Sequence, residues 1–157
     1  MKNTNDNIRN SIEKVLSSQR LAVLSTERYG QPYSSLMAFA HSTDLTSIVV
    51  ATGRATRKHV NLIQEPRVSL LIDTRTNSEE DFHSAAAITV IGKAQIIAEN
   101  KYGEFEALYL HKHPYLETFL AAPTTSLFRI TVFHYLMVNR FQNVMEYHIT
   151  DETDIFA

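Results

Sequence analysis

The residue types best suited to chemistry crowd into one turn of the chain. In "ATGRATRKHVNLIQEP", residues 51–66, Arg54, Arg57 and Lys58 surround Thr56 at the point where a helical pattern begins. A helix N-terminus carries the positive end of the backbone dipole and unpaired N–H donors, so it favours anions over cations. Three cations there call for a counter-charge. Thr56 as N-cap accepts from one free amide, but position N3 is His59 instead of the Glu or Gln of a capping box, so donors are left over. Together with the Thr52 hydroxyl and the Arg57 and Lys58 side chains, they form a cup suited to a terminal phosphate. The same cations also read as solvated residues on an exposed turn, and spacing alone does not choose between the two.

The elements that must position this turn can be read from periodicity. Ile8, Ile12, Val15 and Leu16 fall at helical spacing, which predicts an amphipathic helix over about residues 5–18 whose apolar side packs on a core. "RLAVLST" and "YSSLMAFA" flank the Gly and Pro of "RYGQP" and predict a hairpin, and "TSIVVAT" predicts a third strand. The helix after it stops at Pro66, because the residue before proline resists αR geometry, and "RVSLLID" follows as strand four. "AAAITVIGKAQIIAE" predicts a long strand in which Gly92 marks a bulge or a close backbone approach. Helical segments in "KYGEFEALYLHKHP" and "YLETFLAA" precede the strand-like "SLFRITVFHYLMVNRF" and "NVMEYHI". "DTRTNSEEDFHS" is the one long polar loop.

These elements predict a single mainly β domain over residues 1–157, a six- to seven-stranded antiparallel barrel with peripheral helices. Val49, Val50, Leu70, Leu71, Ile88, Val90, Ile130 and Val132 are the expected barrel core.

A length of 157 residues suits one core, and 44% hydrophobic with 20% charged residues is a globular composition. A net charge of −2 gives no general attraction to nucleic acid or to an acidic membrane, so any anion site is local. The absence of cysteine excludes disulfides, thiolate metal sites and a cysteine nucleophile. With no run of signal-peptide or membrane-spanning character, the expectation is a cytoplasmic protein. His111 and His113 lie two residues apart, about 200° around a helix, so they do not chelate one ion and no metal site is expected. Hydrolase and NTPase motifs are missing.

The stretch Thr52, Gly53, Thr56-Arg57-Lys58 and "EPRVSLLID", followed by "ITVIGKAQII", resembles the pyridoxamine 5′-phosphate oxidase-like family of FMN-binding split β-barrels, in order over about residues 20–140. The resemblance implies that Arg57 and Lys58 hold the FMN phosphate, assisted by Thr52 and Thr56. It also implies that Ser34, Ser35, Leu36 and Met37 lie along the flavin ring. Relatives are homodimers with flavin at the subunit interface, which makes Asn139 and Arg140 of "MVNRFQN" candidates for the partner's contribution.

The ring-facing strand lacks the Arg and Lys of pyridoxamine oxidases, His113 stands where a substrate-binding Arg is expected, and the chain has no Trp. The implied function is therefore an FMN-dependent oxidoreductase other than an authentic pyridoxamine phosphate oxidase, with its catalytic residues unassigned. A haem-binding or haem-degrading protein is an alternative, since "YLHKHP" ahead of "LFRITVFHYLMVNRF" is similar to the haem-utilisation branch and one imidazole suffices for haem iron. A flavin-binding sensor or storage protein without turnover is another.

Overall fold

The computed structural model describes residues 4–140 and 142–150. Seven strands, β1 (Leu21–Arg28), β2 (Gln31–His41), β3 (Ser47–Gly53), β4 (Arg67–Asp73), β5 (Ala87–Ile96), β6 (Thr125–Asn139) and β7 (Asn143–His148), form one sheet in the order β3-β2-β1-β4-β5-β6-β7. An additional antiparallel pairing runs β3 against β6, from Ser47↔Thr131 to Gly53↔Thr125. It closes strands one to six into a barrel and leaves β7 outside the closure, paired only with β6. The expected mainly β barrel with peripheral helices is thus the fold.

Inside the barrel, alternate residues converge. Leu24, Met37, Phe39, Ile48, Val50, Leu70, Ile72, Ile88, Val90, Phe128, Ile130 and Val132 are all buried in one cluster. Helix α1 (Thr4–Ser18) covers one end with Ile12, Val15 and Leu16, as its 3.6-residue period requires. Helix α2 (Arg57–Gln64) covers β1 and neighbouring strands with Leu62 and Asn61. The long polar loop contains one helical turn, α3 (Asp81–Ser84), whose start is pinned by the Asp81 carboxylate accepting from the Thr76 and Asn77 amides.

Two of the eight expected core residues lie elsewhere. Val49 points out of the barrel into a second apolar cluster with Ala51, Tyr109, Leu120 and Leu127. That cluster exists because α4 (Gly103–Lys112) and α5 (Glu117–Ala121) lie over the outer face of β3 and β6, so β3 is covered on both sides. Leu71 faces outward and is 37% exposed, since its neighbours Leu70 and Ile72 take the two inward positions.

Gly92 is both things its position in β5 suggested. The β5–β6 register shifts between Ile91 and Gly92, and a Cβ at Gly92 would stand 2.4 Å from the Thr131 carbonyl oxygen. Only glycine lets β6 approach there.

Candidate functional site

The turn between β3 and α2 is locked from within. Thr56 adopts extended backbone geometry, its Oγ1 accepts from the His59 amide at 3.3 Å, and it donates to the Gly53 carbonyl at 2.9 Å. The Thr52 Oγ1 is 3.0 Å from that of Thr56, and Thr52 is almost wholly buried. Both hydroxyls are therefore spent on the turn. They shape the cup instead of lining it, while the amides of Arg57 and Lys58 head the helix where no intrahelical carbonyl reaches them.

The three cations have three different fates. Arg54 turns away: its Nη2 pairs with Glu99 at 2.8 Å, and its Nε donates to Ser126 Oγ at 3.1 Å. Arg57 stays exposed and lays its guanidinium over the Tyr33 ring, 5.6 Å from the centroid, which brings the cup beside β2. Lys58 is half-buried and has no ion pair among the described residues. Two cations and two amides thus lie at one helix start, and neither cation forms an ion pair with a carboxylate among the described residues. Such an arrangement has the charge and the free donors to hold an anion.

His59 supports the cup from behind. Its Nε2 is 3.0 Å from Ser126 Oγ and its ring meets Phe128 edge-on. Burial, then the charge of Arg54, push its pKa down from the ordinary histidine value. The neutral imidazole then accepts from Ser126, whose oxygen in turn accepts from Arg54. The chain Glu99–Arg54–Ser126–His59 joins the helix start to β6 across more than sixty residues of sequence. His59 entered the sequence reading only as a missing capping residue; Ser126 and Glu99 did not enter it, because nothing local marks a partner so distant.

The four β2 candidates are divided by the pleat. Ser34 and Leu36 are exposed on the outer face, Leu36 to 65%. Ser35 and Met37 point inward: Met37 packs in the barrel core, and the Ser35 Oγ is buried without a hydrogen-bond partner among the described residues. Asn139 and Arg140 lie at the far end of the 15-residue β6 from Thr125, beside which the cup sits, and Asn139 Oδ1 accepts from Asn143 in the hairpin turn. The structure does not bring them to the cup of their own chain.

Helix α4 resolves the histidines of "YLHKHP". His111 is exposed. His113 is fully buried, with Nε2 2.7 Å from the Phe39 carbonyl and Nδ1 3.2 Å from the Tyr115 hydroxyl, and burial lowers its pKa. A neutral ring protonated at Nε2 satisfies both contacts, so this histidine fastens α4 to β2. Beside it, Lys112 donates to the Leu16 carbonyl at 3.0 Å and sits 3.8 Å from the Phe39 ring centroid; burial draws its pKa down to about 8. Among the described residues no cluster of ligands fits a metal ion, and no helix is long and apolar enough to cross a membrane.

Comparisons with known proteins agree with this architecture. A pyridoxamine 5′-phosphate oxidase homolog of Schizosaccharomyces pombe is 34% identical over 86 residues, covering 49% of this chain and 45% of its own. The chain thus spans less than half the length of that curated relative. Among solved structures, a haem-binding protein from Mycobacterium smegmatis superposes with a TM-score of 0.80 at 15% identity, over 94% of this chain and 59% of the other. An FAD-binding protein from Mesorhizobium loti gives 0.64 at 19% identity, over 78% and 86%. At such identities these two show the shared fold. Residues 8–139 match the sequence profile described as pyridoxamine 5′-phosphate oxidase, and with that match spanning most of the barrel the chain belongs to the pyridoxamine 5′-phosphate oxidase family.

Proposed function

We propose that this protein binds FMN through its terminal phosphate at the start of α2 and acts as a flavin-dependent oxidoreductase. The observation that carries the reading is the unanswered positive charge there: Arg57, Lys58 and two free amides face outward, while Arg54 is neutralised by Glu99. A phosphate monoester dianion supplies the missing charge and acceptors. Arg57 and Lys58 bind it, and Thr52 and Thr56 hold the amides in place. Ser34 and Leu36, on the outer face of β2, offer a polar and an apolar contact to the ring, and Ser35 and Met37 support that strand from the inside. FMN, when bound, supplies two-electron transfer between a donor and an acceptor; the chain supplies anchorage and shielding from water.

A homodimer fits this reading. Leu21, Leu36 and Leu71 are exposed on the outer face of neighbouring strands, in register through Val23↔Leu36 and Val23↔Leu71. A second subunit on that face covers the apolar row and brings its own Asn139 and Arg140 to the flavin.

The haem alternative requires an imidazole directed into an apolar pocket. His113, the most buried histidine, spends both ring nitrogens on Phe39 and Tyr115, which favours flavin. An absorption spectrum of the purified protein separates the readings. Flavin bands near-stoichiometric with protein are expected; a haem band, or no uptake of added FMN, overturns the proposal. Reduction of bound flavin by a nicotinamide or other donor then separates an oxidoreductase from a sensor or store.

A further inference from the structure

A cavity lies at the other end of β3, ~20 Å from the cup by the rise of a seven-residue strand. It is half-open, about 320 Å³ in volume, and lined by the β2–β3 turn, the first half of α4 and Arg129 of β6. That volume is at the lower end of the range for small-molecule sites.

Its lining carries opposite charges that form no ion pair. Arg129 is fixed: Nε donates to Ser47 Oγ at 2.9 Å, and the guanidinium lies 5.4 Å from the Phe105 ring centroid. It forms no ion pair among the described residues, although Asp44 and Glu104 line the same cavity. Asp44 is fixed as well. Its Oδ1 accepts from Ser42 Oγ at 2.6 Å, the Thr46 amide at 3.0 Å and Thr46 Oγ1 at 2.8 Å, and these bonds, that from Ser42 first, hold its pKa down to about 2. All three land on Oδ1, so Oδ2 keeps its acceptor capacity. Glu104 is exposed at the rim. Phe105 and Leu108 supply an apolar wall between the poles.

A guanidinium and a carboxylate that line one cavity without pairing, each immobilised by its own hydrogen bonds, are complementary to a ligand carrying both charges. A simple anion would meet Asp44 and Glu104, and a simple cation would meet Arg129. We infer that this cavity binds a small zwitterion of the α-amino-acid class. The carboxylate pairs with the terminal nitrogens of Arg129, the ammonium with Asp44 Oδ2 and Glu104, and the side chain rests on Phe105 and Leu108. The inference does not rest on the flavin reading, since no residue is shared with the cup.

The test is a titration of the ¹⁵N-labelled protein, as purified, with L-alanine, L-leucine and L-phenylalanine, and with propionate and propylamine as single-charge controls. The expected result is saturable shifts of the Thr43–Ser47 and Phe105 amides by at least one amino acid below about 1 mM, with each control about tenfold or more weaker. Arg129→Gln, which keeps a donor for Ser47, should weaken binding at least about tenfold, and Glu104→Gln, at an exposed position, should weaken it by a smaller factor. Absence of saturation by every amino acid, propionate binding as tightly as the amino acids, or unchanged affinity in both variants overturns the inference.

Discussion

Arg57 and Lys58 are the side chains on which the proposed phosphate contact rests, and neither forms an ion pair among the described residues. A hydrogen bond to a charged group is worth roughly 1.5–3 kcal/mol, so replacing both with Ala should weaken FMN binding on the order of 10²- to 10⁴-fold. Quenching of FMN fluorescence on titration measures this, and wild-type affinity in the double variant would refute the assignment. Their place at a helix start was legible in the sequence because a cap, a helix start and its flanking cations are neighbours in the chain. The diversion of Arg54 to Glu99 was not, because the partners are 45 residues apart. His113 gives a second residue-scale outcome. Its folded pKa lies below the ordinary 6.5, so the unfolded chain binds the extra proton first. Its contribution is therefore complete above about pH 6.5 and declines as the pH falls below that value. His113→Gln retains a donor for Phe39 and an acceptor for Tyr115 but does not titrate. The fall in melting temperature between pH 7.5 and 5.5 should be shallower in that variant, and an equally steep fall would show that the proton goes elsewhere, with His59 the next residue to substitute.

Among the elements, β5 and β6 depend on one atom's absence. A methyl group at position 92 would stand 2.4 Å from the Thr131 carbonyl, in contact with backbone that has no freedom to move aside. Gly92→Ala should cost on the order of 1–3 kcal/mol in urea unfolding, with the bulge strained or the register shifted. A cost near zero would mean that β6 yields more readily than its pairing suggests. Turn residues and β-branched runs made nearly every strand readable, and Pro66 marked the end of α2 correctly. The two misplaced core residues have different causes. Alternation says which residues of a strand share a face, not what covers that face, and only the packing of α4 and α5 over β3 decides that Val49 is buried outside the barrel. Leu71 looked internal because "RVSLLID" places two leucines together, and only one of an adjacent pair can point inward.

For the whole molecule, the row of Leu21, Leu36 and Leu71 is an apolar feature on neighbouring strands that the single chain leaves exposed. If it is the dimer face, Leu36→Lys with Leu71→Lys should convert the protein to a monomer in light scattering and weaken flavin binding together with it. A variant that stays dimeric and fully loaded would place the interface elsewhere. The closure of β3 on β6 has a consequence in time. The strand that ends in the phosphate cup, Ser47–Gly53, finds its second neighbour only in Thr125–Thr131, almost eighty residues later. Loop closure over that span is slow, and during synthesis β3 emerges with one edge open well before β6 exists to cover it. Ser126, which steadies both Arg54 and His59, arrives in the same late segment. The cup thus cannot be completed before β6 is made, although most of it is encoded near the middle of the chain, and the proposed FMN would enter a nearly finished barrel instead of nucleating it.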